Sequence, residues 1–339
     1  MQTNQGEAVE RPLLTIAIPT YNRSGFLRQL LDSLVDQLIE QTQVELLISD
    51  NASQDDTAET VEIARRLGDR FAYVRNVDNI GSDGNFLQCY ERATGKYVWI
   101  VGDDDLLLPG SVSTVLSYLS KDEFELVFVS PIGFSGDPST LKPKRSKKPP
   151  LVCNHASQFL RRVHIFTTLI SCNIVNKDRV REIGHQPFAK LVNSNLIQLG
   201  WTFTALRGHR KSLLIEDELV SYRLGNTGGY GVCKVFGSTL FEVTREWLGI
   251  PPLNALVLNA SLQRLLPACL LAANQKSHGS YLQENPHALL SPIFRDNIRY
   301  WIFDYPLIVL PSGPAWLWLQ MLRVVNRLDR AFGLPSLGG

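Results

Sequence analysis

The chain has 339 residues and a formal net charge of +1, from 34 Lys and Arg against 33 Asp and Glu. Hydrophobic residues are 44% and charged residues 20%, so the chain can bury enough apolar surface to offset its conformational entropy, and disorder is excluded. So neutral a chain is not a general electrostatic binder of nucleic acid, and its length suits one large domain with an appendage, or two domains. The five cysteines (Cys89, Cys153, Cys172, Cys233 and Cys269) are odd in number, widely spaced and never in C-x-x-C. That pattern argues against a disulfide framework or a structural zinc site and fits a reducing compartment.

Residues 1–12 read as a polar tail without the basic and apolar regions of a signal peptide. LLTIAIP (13–19) is a short apolar, β-branched run, the pattern of a buried strand. After a turn at 21–24, Phe26, Leu27, Leu30, Leu31, Leu34, Val35 and Leu38 recur at three and four spacing and predict a helix. VELLIS (44–49) predicts a second strand, 57–67 a helix capped by Asp55 or Asp56, and FAYV (71–74) a third strand. A helix over 85–93 ends at Gly95; YVWIV (97–101) is a fourth strand, 110–120 a helix and ELVFVS (125–130) a fifth strand. Strands alternating with single helices predict a mainly parallel α/β sheet. In such sheets ligands bind beyond the carboxyl ends of the strands.

Those ends carry Pro19-Thr20-Tyr21-Asn22-Arg23, then Asp50-Asn51-Ala52-Ser53, then Asn76 to Gly81, then Gly102-Asp103-Asp104-Asp105. Three adjacent carboxylates repel and call for a counter-charge. A hard divalent cation, Mn²⁺ or Mg²⁺, supplies it through oxygen ligands and can share them with a diphosphate. The alternative is that Asp104 or Asp105 caps the helix that follows. Asp50 can accept a hydrogen bond from a nucleobase, uracil or cytosine alike, or can close an Asx-turn.

IPTYNR, SDNASQDDT, NIGSDGN and GKYVWIVGDDD, in that order and spacing, resemble the nucleotide-binding half of a family 2 glycosyltransferase of the GT-A fold. The resemblance is firm over 13–130. It implies a nucleotide-diphospho-sugar transferase fold with a C-terminal helical appendage. It implies that Pro19, Thr20, Tyr21, Asn22, Asp50, Gly81, Asp103 and Asp104 bind the donor nucleotide. It further implies that Asp105, with Asp103, ligates the metal. Two departures stand out. The Ala-Arg-Asn stretch of many members is replaced by Asn85, Phe86 and Leu87, so an arginine near the donor phosphates is missing. The acid pair that supplies the catalytic base is replaced by Asn193-Ser194-Asn195, and an amide cannot take a proton from a sugar hydroxyl. Among later acids, Glu216-Asp217-Glu218 offers Asp217 as the candidate base, and His185 is the histidine nearest the acceptor region.

The segment 142–148 places five basic residues in a Pro-rich loop, either solvated or set to meet anionic headgroups or a pyrophosphate. A strand is predicted at 168–176, a helix at 177–183 and a strand over SLLIEDELVSYRL. Gly225 to Gly231 is a lid or a linker. Segments 232–248 and 253–273 are helical, and 300–325 is apolar but broken by prolines, which argues against a full membrane span. Residues 316–332 have the pattern of a helix lying on a membrane or packed on the domain.

The expected organisation is a tail (1–12), a GT-A domain (13–230, divided at 130 into nucleotide and acceptor halves) and a helical region (231–339). The expected reaction moves a sugar from a UDP- or CDP-type donor to a saccharide acceptor, lipid-linked or not, in bacterial O-antigen-type polysaccharide synthesis. The setting would be the cytoplasm or the cytoplasmic face of the inner membrane, with peripheral contact through the C-terminal region. Deoxysugar-using members such as abequosyltransferases are similar. The rivals are a non-catalytic nucleotide-sugar or glycan binder, for which the missing acid pair speaks, and a sugar nucleotidyltransferase. The latter would need a glycine-rich basic loop where IPTYNR stands.

Overall fold

The structure, a computed structural model, describes residues 11–184, 187–225, 229–274 and 284–332. Strands β1 (Leu14–Thr20), β2 (Val44–Asp50), β3 (Phe71–Arg75) and β4 (Tyr97–Ile100) are joined by three helical crossovers. These are α1 (Ser24–Leu38), α2 (Thr57–Thr60), which tightens into a 3₁₀ helix over Val61–Arg70, and α3 (Gly81–Arg92). The four strands pair in parallel in the order β3-β2-β1-β4. The apolar face of α1 (Leu27, Leu30, Leu31, Leu34, Val35 and Leu38) is buried, each side chain contributing about 1.5–3 kcal/mol of transfer free energy. Gly95 lets the chain turn from α3 tightly onto β1, since a Cβ there would stand 2.6 Å from the Thr15 amide nitrogen.

Beyond β4 the sheet is mixed. The remaining strands are β5 (Leu106–Leu107), β6 (Leu126–Phe134), β7 (Leu151–Cys153), β8 (Asn173–Asn176) and β9 (Ser212–Arg223). The sheet continues β4-β8-β6-β9-β5, with β7 also on β9. Strand β8 runs antiparallel between β4 and β6, so the predicted fifth strand, β6, does not lie beside β4. β8 is also shorter than predicted, because 164–172 forms 3₁₀ turns. The Asn173 side chain donates to the Leu169 carbonyl (2.6 Å), offering the backbone a turn instead of a ladder. Helices α4 (Ser111–Leu119), α5 (Ala156–Val163), α6 (Lys177–Ile183) and α7 (Gln198–Arg207) complete this part. Tyr90 on α3 stacks on Trp201 of α7 at 4.6 Å, tying the parallel half to the region that follows.

The chain ends in helices: α8 (Leu240–Val243), α9 (Pro251–Ala260), α10 (Leu266–Asn274), α11 (Pro286–Phe294), α12 (Tyr305–Val309) and α13 (Ser312–Phe332). By length and composition the helical run Pro251–Ala272 could cross a membrane, but 56% of its most apolar stretch lies inside the structure. The proline-broken segment after Tyr300 divides at Leu310, between α12 and α13.

Candidate active site

A cleft of about 490 Å³ opens at the carboxyl ends of β1 and β4. That is the size of a small-molecule site and the place the strand-end rule indicates. Pro19, Thr20 and Tyr21 after β1, Gly81 and Asp83 on α3, and Gly102, Asp103 and Asp104 after β4 line it. Thr168 to Ile170, Asn195 and Gln198 face them, and Tyr230 and Phe236 reach in from the start of the helical region.

The triple aspartate occupies the loop between β4, in the sheet interior, and β5, at its far edge. Asp103 is buried, and its carboxylate accepts from Thr20 Oγ1 (2.8 Å) and Arg23 Nη1 (3.2 Å). Burial pushes its carboxyl up to about 6; the Arg23 charge opposes the rise and the Asp104 charge adds to it. The same Arg23 Nη1 stands 3.6 Å from Asp104 Oδ2. Asp105 turns aside to Ser171 and to the Arg223 amide, which donates to Oδ1 at 3.3 Å. Burial, with the Asp104 charge next, pushes its carboxyl up to about 7. Ser171 Oγ also accepts the Gly102 amide (2.9 Å), pinning the loop to the segment before β8.

These residues fit a divalent cation. A Cβ on Gly102 would lie 3.1 Å from an Asp104 oxygen and 3.4 Å from an Asp105 oxygen, so the glycine leaves room where two carboxylates approach. Among the described residues no three acidic, His or Cys side chains converge as a complete metal set. A hard cation here would take one or two carboxylates and draw its other oxygens from a substrate and water. The described cleft wall holds three carboxylates (Asp83, Asp103, Asp104) and one cationic side chain, Arg23, a formal −2 that would repel a diphosphate without a cation.

Not every expected residue reaches the cleft. Asp50 is 1% exposed, behind the wall; it accepts from the Ser53 amide (2.9 Å) and the Tyr73 hydroxyl (2.7 Å) and faces Arg75 at 3.5 Å. Its neighbour Asn51 lines the cleft instead. Asn22, in the left-handed region at φ 50°, uses its side chain to accept the Gln54 amide, and so orders the β1 and β2 loops. Asp105 lies beside the cleft rather than on its wall. Asp217 is placed elsewhere: it accepts from the Ser146 amide (2.5 Å) and pairs with Arg145 at 3.8 Å. Glu218 accepts the Lys144 amide, so the acidic stretch of β9 straps down the basic loop. His185 and Asn226 to Gly228 lie outside the described residues.

Sequence reasoning missed Asp83. It is 4% exposed, lines the cleft, and its Oδ2 accepts the Asn195 amide at 2.8 Å, with the amides of Ser194, Asn193 and Ile197 adding to the cradle. Asn193 and Asn195 adopt positive φ (71° and 59°), which coils the loop around the carboxylate. The carboxylate absent from the Asn-Ser-Asn stretch is thus delivered to it by α3. Its placement is tertiary; the helix predicted from residue 85 begins at Gly81, and the signal in sequence was the acid within NIGSDGN, next to a strand end.

The chain matches the description of glycosyl transferase family 2 over residues 15–184, half its length, and belongs to that family. It is 41% identical over 110 residues to abequosyltransferase RfbV of Salmonella typhimurium, which covers 32% of this chain and 33% of that protein. It is 33% identical over 106 residues to a GalNAc(5)-diNAcBac-PP-undecaprenol beta-1,3-glucosyltransferase of Campylobacter jejuni, covering 31% and 34%. The matches thus span about a third of these relatives. Among solved structures, S. aureus TarS 1-349 in complex with UDP superposes with a TM-score of 0.59 over 91% of both chains at 16% identity. The mannosyltransferase PcManGT of Pyrobaculum calidifontis, in complex with GDP-Man and Mn²⁺, gives 0.53 over 94% and 88% at 15%. The fold is GT-A, with a helical C-terminal region.

Proposed function

We propose that this chain transfers a sugar from a nucleotide-diphosphate donor to a saccharide acceptor in bacterial surface polysaccharide synthesis. The observation that carries the reading is the pair Asp103 and Asp104 at the end of β4, on the wall of the same cleft as Pro19-Thr20-Tyr21. Residues 13–230 form the transferase unit, and the helical region from 231 completes its cleft through Phe236.

Tyr21, 41% exposed, offers its ring to the base, and a UDP or CDP donor suits the site. Asp103, fixed by Thr20, lies toward the ribose. Mn²⁺ or Mg²⁺, when bound, would be held by Asp104 with Asp103 or Asp105, and would offset the charge of the diphosphate. Asp83 takes the role of base. It is the third carboxylate of the cleft wall, its Oδ2 accepting the Asn195 amide, and burial raises its pKa against the pull of its amide cradle, which makes it a readier proton acceptor than an exposed carboxylate. The aromatic pair Tyr230 and Phe236, at 6.0 Å, gives the acceptor sugar an apolar face to rest on. A lipid-linked acceptor at the cytoplasmic membrane face agrees with the apolar surface of the helical region.

The test is incubation with Mn²⁺ and UDP, CDP, GDP and dTDP sugars, reading nucleotide release. Release that falls roughly 100-fold or more in Asp104→Ala is the expected result. Binding without release would favour a non-catalytic binder, and pyrophosphate from a nucleoside triphosphate would favour a nucleotidyltransferase.

A further inference from the structure

Arg23 is the one Lys or Arg on the described cleft wall, and it sits where a metal would have to compete with it. It is the residue just before α1. Its Nη1 is shared between Asp103 Oδ1 at 3.2 Å and Asp104 Oδ2 at 3.6 Å, while 37% of the side chain remains exposed. The two carboxylates are therefore bridged by the protein's own cation.

A guanidinium cannot discharge its positive charge by losing a proton under ordinary conditions. A divalent cation on the same oxygens would meet an arginine a few ångströms away, and like charges at that range repel. Moving aside is the remaining course, and the exposed face of the side chain gives it room. A diphosphate brought in on the metal gives it a destination, since arginine pairs well with phosphate oxygens. No other basic side chain on the described wall can do this, because Asn85, Phe86 and Leu87 stand where an arginine was expected.

We propose that Arg23 is a displaceable counter-cation. It bridges Asp103 and Asp104, yields them to the metal, and then holds the donor diphosphate. The proposal rests on the transferase reading above. Its consequence is linkage: metal alone binds weakly because Arg23 must be dislodged without compensation, and metal with a diphosphate binds cooperatively because the freed guanidinium gains a partner.

The experiment uses the full chain and two binding readouts that need no turnover. Mn²⁺ is titrated by electron paramagnetic resonance without nucleotide, and UDP and CDP are titrated by calorimetry in saturating Mn²⁺. Arg23→Gln is expected to tighten Mn²⁺ alone by roughly fivefold or more and to weaken the nucleotide by a similar factor. Arg23→Lys, which keeps the charge but loses the planar fork, falls between and serves if the glutamine variant does not fold. Unchanged or weaker Mn²⁺ binding overturns the bridge, and nucleotide binding that is unchanged or tighter overturns the phosphate role. Wild type that binds neither Mn²⁺ nor nucleotide overturns the transferase reading and this proposal together. Binding by wild type with no change in either variant overturns this proposal alone.

Discussion

Asp83 is a side chain whose surroundings define what it can do. Its carboxylate is held by main-chain amides, which cannot rotate away as side-chain donors can. Asp83→Asn keeps the shape and can still accept from the Asn195 amide, but it cannot accept a proton. We expect kcat to fall by about 10² to 10⁴ while Mn²⁺-dependent nucleotide affinity stays close to wild type. Because burial raises the pKa of Asp83, wild-type kcat should climb with pH as that carboxyl ionises, and the variant should lose this limb. A variant that loses nucleotide binding and kcat together would instead assign Asp83 to bracing α3 against α7. Asp217 makes the complementary point. A run of acids on a strand looks the same whether it faces a substrate or a basic loop, and only the structure reveals Ser146 and Arg145 across from it.

The elements legible in the sequence were those whose signal is local. β1 to β4 are short apolar runs, and α1 carries its pattern within one face, so their ends, and with them Asp103 and Asp104, could be placed. The insertion of β8 between β4 and β6 pairs Tyr97 with Asn176 and Leu126 with Val175, residues far apart in the chain, and no local pattern encodes it. For the same reason the partners of Asp50, which are Tyr73 and Arg75 on the next strand, were hidden. The helical region hides a further feature. The π turn Tyr300–Asp304 buries Asp304 completely, with neither carboxylate oxygen hydrogen-bonded among the described residues. Burial raises its pKa well above the usual range, so the folded protein holds a proton there that the unfolded chain releases. The folded state then binds more protons than the unfolded state once pH passes the unfolded carboxyl value near 4, and stability falls as pH rises from there toward the folded pKa. Asp304→Asn removes that dependence. Its Tm should exceed wild type by a margin that widens between pH 5 and pH 8, as read by thermal melts at both values. An equal margin at both would show that Asp304 is charged in the fold.

On the scale of the whole molecule, the last helix has more apolar surface than the fold uses. Ala315, Leu319 and Leu322 on α13 are buried against the domain, at helical spacing. Leu317, Met321 and Val324 repeat that spacing on a different side and are 64%, 46% and 54% exposed. Trp316 on α13 and Trp301 on the preceding π turn are also 47% and 42% exposed. A surface helix needs one apolar stripe to pack; a second contiguous one marks a contact with something else. Exposed tryptophans suit the boundary between headgroups and acyl chains, where an indole can hold both phases. The net charge of +1 gives little long-range attraction to an anionic surface, so the binding should be mainly apolar and should survive raised salt. Wild type should therefore sediment with vesicles of phosphatidylethanolamine and phosphatidylglycerol at both 0.1 M and about 0.5 M NaCl. Leu317→Ser with Met321→Ser should reduce the bound fraction at least about tenfold, since each buried side chain of this size is worth roughly 1.5–3 kcal/mol. Because both residues face away from the domain core, the melting temperature should not change. Wild type left in the supernatant would detach the acceptor from the membrane, while leaving the donor cleft as it stands.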